Sequence, residues 1–252
     1  MAVNTKRAVF ISIEGTGEGV GKTTLVEGLK KRLPSDKFYF TREIGGIGSP
    51  VAEAVRNVVL DKNLPAMDPI TEELLVMATR TAHMYDVVLP KLEAGINVIS
   101  DRCMLSSMAY QGKRGDSGVA RVLWDHAIFF HRFFLKLGYS LSGFPRVDNT
   151  SLDGSIMSLG GYVPLPNLIY VLDMPVDASL ARKGQCNPAD MNRIDLELRE
   201  SHDLIYQGYH EAIKVLNDFV YPPPTIKLVD AEQSKDDVLA IVMRDLTKHC
   251  IL

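Results

Sequence analysis

Apolar and polar positions come in blocks along the chain, and the period changes from block to block. Residues 8–13 (AVFISI) form a short, almost wholly apolar run, as in a strand buried on both faces. Residues 22–33 switch to helical spacing, with Leu25, Leu29 and Leu33 on one face. Residues 38–41 predict a second strand. Residues 49–60 open on Ser49 and Pro50, an N-cap and N1 pair, and carry Val51, Val55 and Val59 on one face. Residues 71–85 predict a helix that continues past Pro90 to Ala94, where Gly95 ends it. Strands are predicted over 97–100, 168–172 and 225–229, and a long helix over 196–216. Ser234 with Asp237 gives a capping-box start to a last helix.

Strands separated by helices predict a parallel sheet covered on both faces, hence a three-layer α/β/α domain with five parallel strands. A chain of 252 residues is within reach of one such domain, read here as spanning 1–252. Residues 139–166 break the rhythm, being rich in Gly, Ser and Pro. A loop of that length inside a compact domain is functional or mobile. Its Tyr139, Phe144, Ile156, Met157 and Tyr162 argue against a purely solvated linker. Phe129, Phe130, Phe133 and Phe134 crowd one segment, which suits either core packing or a contact with another subunit.

Composition narrows the classes. With 46% apolar and 23% charged residues the chain has an ordinary globular balance. A net charge of −3 argues against a nucleic-acid coat or a membrane-surface patch, though a local basic pocket remains compatible with it. No run approaches the ~18 apolar residues of a membrane span. Residues 1–7 carry no long apolar stretch, so no leader is expected. Cys103, Cys186 and Cys250 are far apart and form no CxxC pair, which speaks against zinc or a disulfide framework and for a reducing cytoplasm.

The strongest local signal is Glu14-Gly-Thr-Gly-Glu-Gly-Val-Gly-Lys-Thr-Thr24, between a predicted strand and a predicted helix. That is the context of a phosphate-binding loop. Gly17, Gly19, Val20 and Gly21 let successive backbone N–H groups turn toward one anion, and the helix N-terminus adds partial positive charge. Lys22 would reach the β- and γ-phosphates of ATP, Thr23 would ligate Mg²⁺, and Thr24 completes the loop. The pattern GxxxxGK[ST] wants glycine where Thr16 stands, so this loop is one residue longer than usual. The loop alone specifies only a nucleoside triphosphate.

A second cluster follows the third predicted strand: Asp101-Arg102, then Ser106-Ser107-Met-Ala-Tyr110-Gln111. Ligands gather at the carboxyl ends of parallel strands. There Asp101 can hold Mg²⁺, directly or through water, and Arg102 can neutralise phosphate. Tyr110 and Gln111 offer a ring and an amide to a sugar and a base edge.

Taken in order, these motifs resemble the thymidylate kinase family. Thr41-Arg42-Glu43-Ile44-Gly45-Gly46 is similar to that family's TREPGG, with Ile for Pro. The segments around Arg56 and Arg80 resemble its next two helices. Residues 229–233 (VDAEQ) resemble its adenine-packing loop. The resemblance implies ATP-dependent phosphorylation of dTMP to dTDP, Mg²⁺ with ATP, no nucleic-acid or membrane partner, and a homodimer. It implies that Glu18 binds the acceptor's 3′-hydroxyl and that Arg42, Arg56 and Arg102 hold its phosphate. Arg80 would bond the base, with Ser107 and Gln111 nearby, and Tyr110 would pack on the deoxyribose. Read alone, each arginine is equally a surface ion pair of little worth. A basic stretch over 182–195 falls where the family has a mobile lid. It makes Arg193 the expected catalytic arginine, assisted by Arg182 or Lys183, because Val20 leaves the phosphate loop without a basic residue at that point.

Three positions depart from the family. Val76 stands where a phenylalanine stacks on thymine, a loss of roughly 1–3 kcal/mol on the scale of base–aromatic stacking. The longer phosphate loop can shift Glu18. The 139–166 insert exceeds what the family needs. Alternatives therefore stay open: a kinase for dUMP, a 5-modified dUMP or a deoxynucleoside, or a nucleotide-binding switch with no acceptor chemistry.

Overall fold

The structure, a computed structural model, describes residues 8–115, 117–137, 146–147, 161–162, 165–184 and 198–248. The strands are β1 (Phe10–Gly15), β2 (Phe38–Arg42), β3 (Asn97–Asp101), β4 (Arg146–Val147), β5 (Gly161–Tyr162), β6 (Leu168–Asp173), β7 (Val220–Tyr221) and β8 (Thr225–Asp230). The helices are α1 (Lys22–Lys30), α2 (Pro50–Leu60), α3 (Pro69–His83), α4 (Leu89–Glu93), α5 (Met104–Ser107), α6 (Val119–Leu137), α7 (Val176–Lys183), α8 (Arg199–Phe219) and α9 (Lys235–Lys248). Two π-helical stretches, Met84–Val88 and Met108–Arg114, join α3 to α4 and extend α5.

Five strands form one sheet in the order β2-β3-β1-β6-β8, and every pairing in it is parallel. Alternation along each strand divides the interior in two. Phe10, Val98, Ile169 and Val171 face a core shared with Met104, Met108, Leu123, Phe130, Ile205 and Tyr209. Ile11, Ile13, Ile99, Tyr170 and Leu172 face the opposite core, with Leu25 and Leu29 of α1 and Leu239 and Val242 of α9. Side chains buried to this degree stabilise by roughly 1.5–3 kcal/mol each. This is the predicted layered fold.

The local signals behave as their chemistry demands. Ser49 Oγ accepts the Ala52 N–H at 3.4 Å, with Pro50 at N1. Asp237 N–H donates to Ser234 Oγ at 3.2 Å while Ser234 donates back to the Asp237 carboxylate at 2.6 Å. Helix α3 begins earlier than its apolar pattern, because Asp68 accepts from both Ile70 and Thr71 N–H at 3.1 Å and Pro69 sits at N1.

Within the 139–166 insert, β4 and β5 pair antiparallel, and β4 also pairs with β7 after α8. Part of the insert is therefore strand rather than loop. Residues 139–145, 148–160 and 163–164 of the insert, and 185–195 of the expected lid with Arg193, lie outside the described residues. Of the phenylalanine cluster, Phe130 is buried and Phe129 is 41% exposed.

Candidate active site

Strand β1 delivers the phosphate loop and the adjacent β3 delivers Asp101 and Arg102. Ile13 and Asp101 are in register, so the two turns open side by side. The extra loop residue has a defined anchorage. Thr16 N–H donates to Leu172 O at 3.0 Å, and its hydroxyl accepts from Met174 N–H at 3.1 Å, tying it to the end of β6. Gly19 (φ 80°) and Gly21 (φ 100°) occupy the left-handed region that L side chains rarely adopt. A Cβ on Gly19 would also meet Ser179 O at 2.8 Å, because the loop lies directly on α7. Gly21 caps α1, whose N-terminus carries Lys22, Thr23 and Thr24. Lys22 Nζ donates to Gly17 O at 3.1 Å.

The loop opens into a cavity of about 420 Å³, within the range of small-ligand pockets. Its lining brings together Gly19, Gly21, Lys22, Thr23 and Thr24 with Glu18, Arg42, Arg56, Arg80, Asp101, Arg102, Ser107, Tyr110 and Gln111. Val76 lines it as well. So do Glu43, Ile44, Leu60, Ser106 and Lys183. Gly17 and Val20 do not line it. Gly17 instead supplies the carbonyl that holds Lys22. Arg182 is directed elsewhere: its guanidinium donates to Ala231 O at 2.8 Å and Glu232 O at 3.4 Å, stitching α7 to the turn after β8.

Glu18 is the electrostatic joint between the two ends. Its carboxylate is bonded to the Arg102 guanidinium, accepts from Tyr110 OH at 2.6 Å and lies 3.8 Å from Lys22 Nζ. Burial opposes its charge, but Arg102, Lys22 and the Tyr110 hydroxyl outweigh burial and hold the carboxyl well below its usual range. Burial and Arg102 together lower the Lys22 pKa, against the pull of Glu18. Arg102 itself has φ 71°, a conformation costing of order 1–3 kcal/mol in a non-glycine residue. It is over-determined by its surroundings: its N–H donates to Ile13 O at 2.9 Å and its carbonyl accepts from Ser100 Oγ at 2.8 Å. Its side chain donates to Tyr209 OH at 3.0 Å and Ser106 Oγ at 3.3 Å. Behind these, Glu14 accepts from Cys103 N–H, Ser106 Oγ and Tyr209 OH, at 2.6, 2.7 and 3.2 Å.

The far wall belongs to α3 and the π-helical stretch. Arg80 is 2% exposed. Its Nε donates to Glu43 at 2.8 Å and its terminal nitrogen to Ser107 Oγ at 2.9 Å. Glu43 also meets His83 Nδ1 at 3.1 Å, and Thr41 Oγ1 meets His83 Nε2 at 2.8 Å. Val76, one turn before Arg80, is 3% exposed. Tyr110 is held edge-on to Tyr209 with centroids 6.4 Å apart, and the Arg102 guanidinium lies 5.2 Å from its ring centre. The stretch can sit this deep because α8 offers Gly208, where a Cβ would lie 2.8 Å from Ala109 Cα. Arg42 pairs with Glu53 at 2.6 Å, and Arg56 donates to Ile44 O.

Asp101 Oδ1 is buried without a hydrogen-bond partner among the described residues. An orphaned carboxylate oxygen in the same cavity lining as Thr23 is a donor that suits a hard cation such as Mg²⁺, which keeps most of its shell for water and phosphate. Glu43, Ile44 and Ser106 lie inside the sequence motifs and were findable there. Leu60 and Tyr209 carry no local signal.

Comparison with known proteins identifies relatives along most of the chain. The family description "Thymidylate kinase" matches residues 13–127. A protein named thymidylate kinase from Clostridium novyi is 32% identical over 92% of this chain and 95% of its own. One from Halalkalibacterium halodurans is 31% identical over 98% and 99%. A third, from Limosilactobacillus fermentum, is 34% identical over 79% of each. With a phosphate loop and an arginine-lined wall sharing one cavity, and with relatives matched along most of its length, the chain belongs to the thymidylate kinase family.

Proposed function

We propose that this chain transfers the γ-phosphoryl group of ATP to dTMP, giving ADP and dTDP. The observation that carries this reading is the single cavity in which the phosphate loop faces Arg42, Arg56 and Arg102. Three guanidinium groups suit an acceptor that already bears a phosphate. A nucleoside acceptor would not need them, and would instead need a base for its hydroxyl. The attacking phosphate oxygen is already ionised, so the protein's task is positioning and charge stabilisation.

In this reading, the backbone N–H groups of residues 19–24 and Lys22 hold the transferring phosphates. Arg42, Arg56 and Arg102 hold the acceptor phosphate in line. Arg80 and Gln111 meet the base, and Tyr110 packs on the deoxyribose. Glu18 stays ionised and accepts the sugar hydroxyl while fixing Arg102. Thr23 and Asp101 would hold Mg²⁺, which when bound neutralises charge on the donor phosphates. Lys183, which lines the cavity, brings cationic charge from the α7 side, and Arg193 adds to it from the lid. Arg182 acts on the adenine-side turn through Ala231 and Glu232.

The reading extends to a homodimer in the reducing cytoplasm. Ile70 and Leu74, one turn apart on α3, and Phe129 on α6 are exposed apolar side chains that a second copy would cover. Buried Cys103 is a free thiol, and no described helix is long and apolar enough to cross a membrane. Light scattering reads the oligomeric state directly.

The test of the activity is ADP release with ATP and Mg²⁺ across dTMP, dUMP, dCMP, dGMP, 5-substituted dUMPs and thymidine. Strong preference for dTMP is expected. ATP binding with no stimulation by any acceptor would sink the reading.

A further inference from the structure

Glu72 takes no part in the transfer described above, yet it is 2% exposed. It lies one and two turns before Val76 and Arg80, on the face of α3 that meets the cavity. Its Oε1 accepts from Gln111 Nε2 at 2.8 Å and from the Arg114 guanidinium. A carboxylate paired with arginine has only acceptor oxygens to offer. The Gln111 side-chain amide must therefore turn its NH₂ toward Glu72. That leaves Gln111 Oε1, an acceptor with no protein partner among the described residues, at the cavity wall. Arg80, on the same wall, commits Nε to Glu43 and one terminal nitrogen to Ser107, and contacts the Met104 sulfur at 3.6 Å. Its five donors are not exhausted by these bonds.

The wall thus offers a donor from Arg80 and an acceptor from Gln111. Thymine and uracil present a carbonyl beside a ring N–H, which complements that pair. Cytosine presents an amino group beside a bare ring nitrogen, which inverts it. We propose that Glu72 is a positioning residue that locks the sense of the Gln111 amide and so selects a carbonyl-bearing pyrimidine over an amino-bearing one. The proposal rests on the kinase reading above.

The experiment measures kcat/KM for dTMP and dCMP in the wild type, Glu72→Gln, Gln111→Leu and the double variant. Glu72→Gln removes the obligatory acceptor, so the dTMP/dCMP ratio should fall by about tenfold or more, the scale of one unmatched buried polar contact. The fall should come through KM, with kcat for dTMP little changed. In the Gln111→Leu background, Glu72→Gln should leave the ratio where Gln111→Leu put it. Arg114→Gln, which frees the carboxylate from its cation, should move the ratio the same way by less, and it stands in if Glu72→Gln fails to fold. A ratio unmoved by both variants, equal losses for dTMP and dCMP, or a full further fall in the double variant overturns the proposal. A wild type that phosphorylates no deoxynucleoside monophosphate overturns the kinase reading as well. A wild type that prefers dTMP, with Glu72→Gln and Arg114→Gln preserving that preference, overturns this proposal alone.

Discussion

In the proposed reading the donor end of the cavity comes mostly from one local stretch, residues 18–24, with Lys183 of α7 beside it, while the acceptor end draws single side chains from β2, α2, α3, the turn after β3 and the π-helical stretch. The donor end works largely through backbone: glycines in left-handed conformations, a helix N-terminus and one lysine. The acceptor end works through buried side chains that brace one another. Arg80 is held by Glu43 and Ser107, Gln111 by Glu72, and Arg102 by Glu18 and Tyr209. Phosphate is the same in every nucleotide, so a local backbone device suffices for it. The acceptor base and sugar differ between nucleotides, so reading them takes directed groups from several elements.

That contrast can be broken most sharply at Lys22. Lys22→Ala should reduce kcat roughly 10²–10³-fold, the scale for losing one charge-stabilising donor. Because the damage is confined to the donor end, the ranking of dTMP, dUMP and dCMP should persist. A changed ranking would show that the two ends are not separable.

Arg102→Ala strikes the joint between them. It removes the proposed phosphate contact and leaves the ionised Glu18 without its nearest cation, so kcat/KM for dTMP should fall about 10²-fold. Unlike the lysine variant, it should raise KM for the monophosphate while ATP binding, followed by fluorescent-analogue titration, stays within a few-fold.

A smaller effect belongs to Arg42, which shares its guanidinium with Glu53 at the mouth. Arg42→Ala should raise KM for dTMP about tenfold, as for one hydrogen bond to a charged group, with KM for ATP unchanged. Loss of ATP affinity would place Arg42 at the wrong end.

The smallest effect is on pH dependence. His126 is buried behind the acceptor wall, where Nδ1–H donates to Val122 O at 2.8 Å. Burial, with Arg80 adding to it, lowers its pKa to about 3. The unfolded chain takes up this proton below its ordinary value and the folded chain does not, so stability is fully present above about pH 6.5 and is lost as pH falls toward about 3. His126→Phe should therefore show a shallower loss of unfolding free energy, followed by denaturant titration, from pH 7 to 5, by at most about 1.4 kcal/mol per pH unit. Equal slopes in wild type and variant would contradict a buried neutral imidazole.

What could be read along the chain follows the same division. The phosphate loop is legible because its function depends on neighbours in sequence. The helix starts at Ser49 and Ser234 are legible for the same reason. The first turn of α3 was missed because its start is set by Asp68 and Pro69, before the apolar period begins. Helix α7 is short and mostly polar, and β4 and β5 span two residues each, too few for a period to register.

The sequence by itself determined the five main strands and their alternation with helices, the parallel sheet, the phosphate loop and the residue types gathered at the strand ends. Only the tertiary structure decided which of those residues meet. It put Glu18 on Arg102 and Tyr110, sent Arg182 to the Ala231 and Glu232 carbonyls, left Asp101 Oδ1 without a partner, and set Glu72 behind Gln111. The reason is physical. Periodicity and turn chemistry act over a few residues and can be read locally. The pairing of a buried charge is settled by whichever donors and acceptors the packed elements bring within about 3 Å of it.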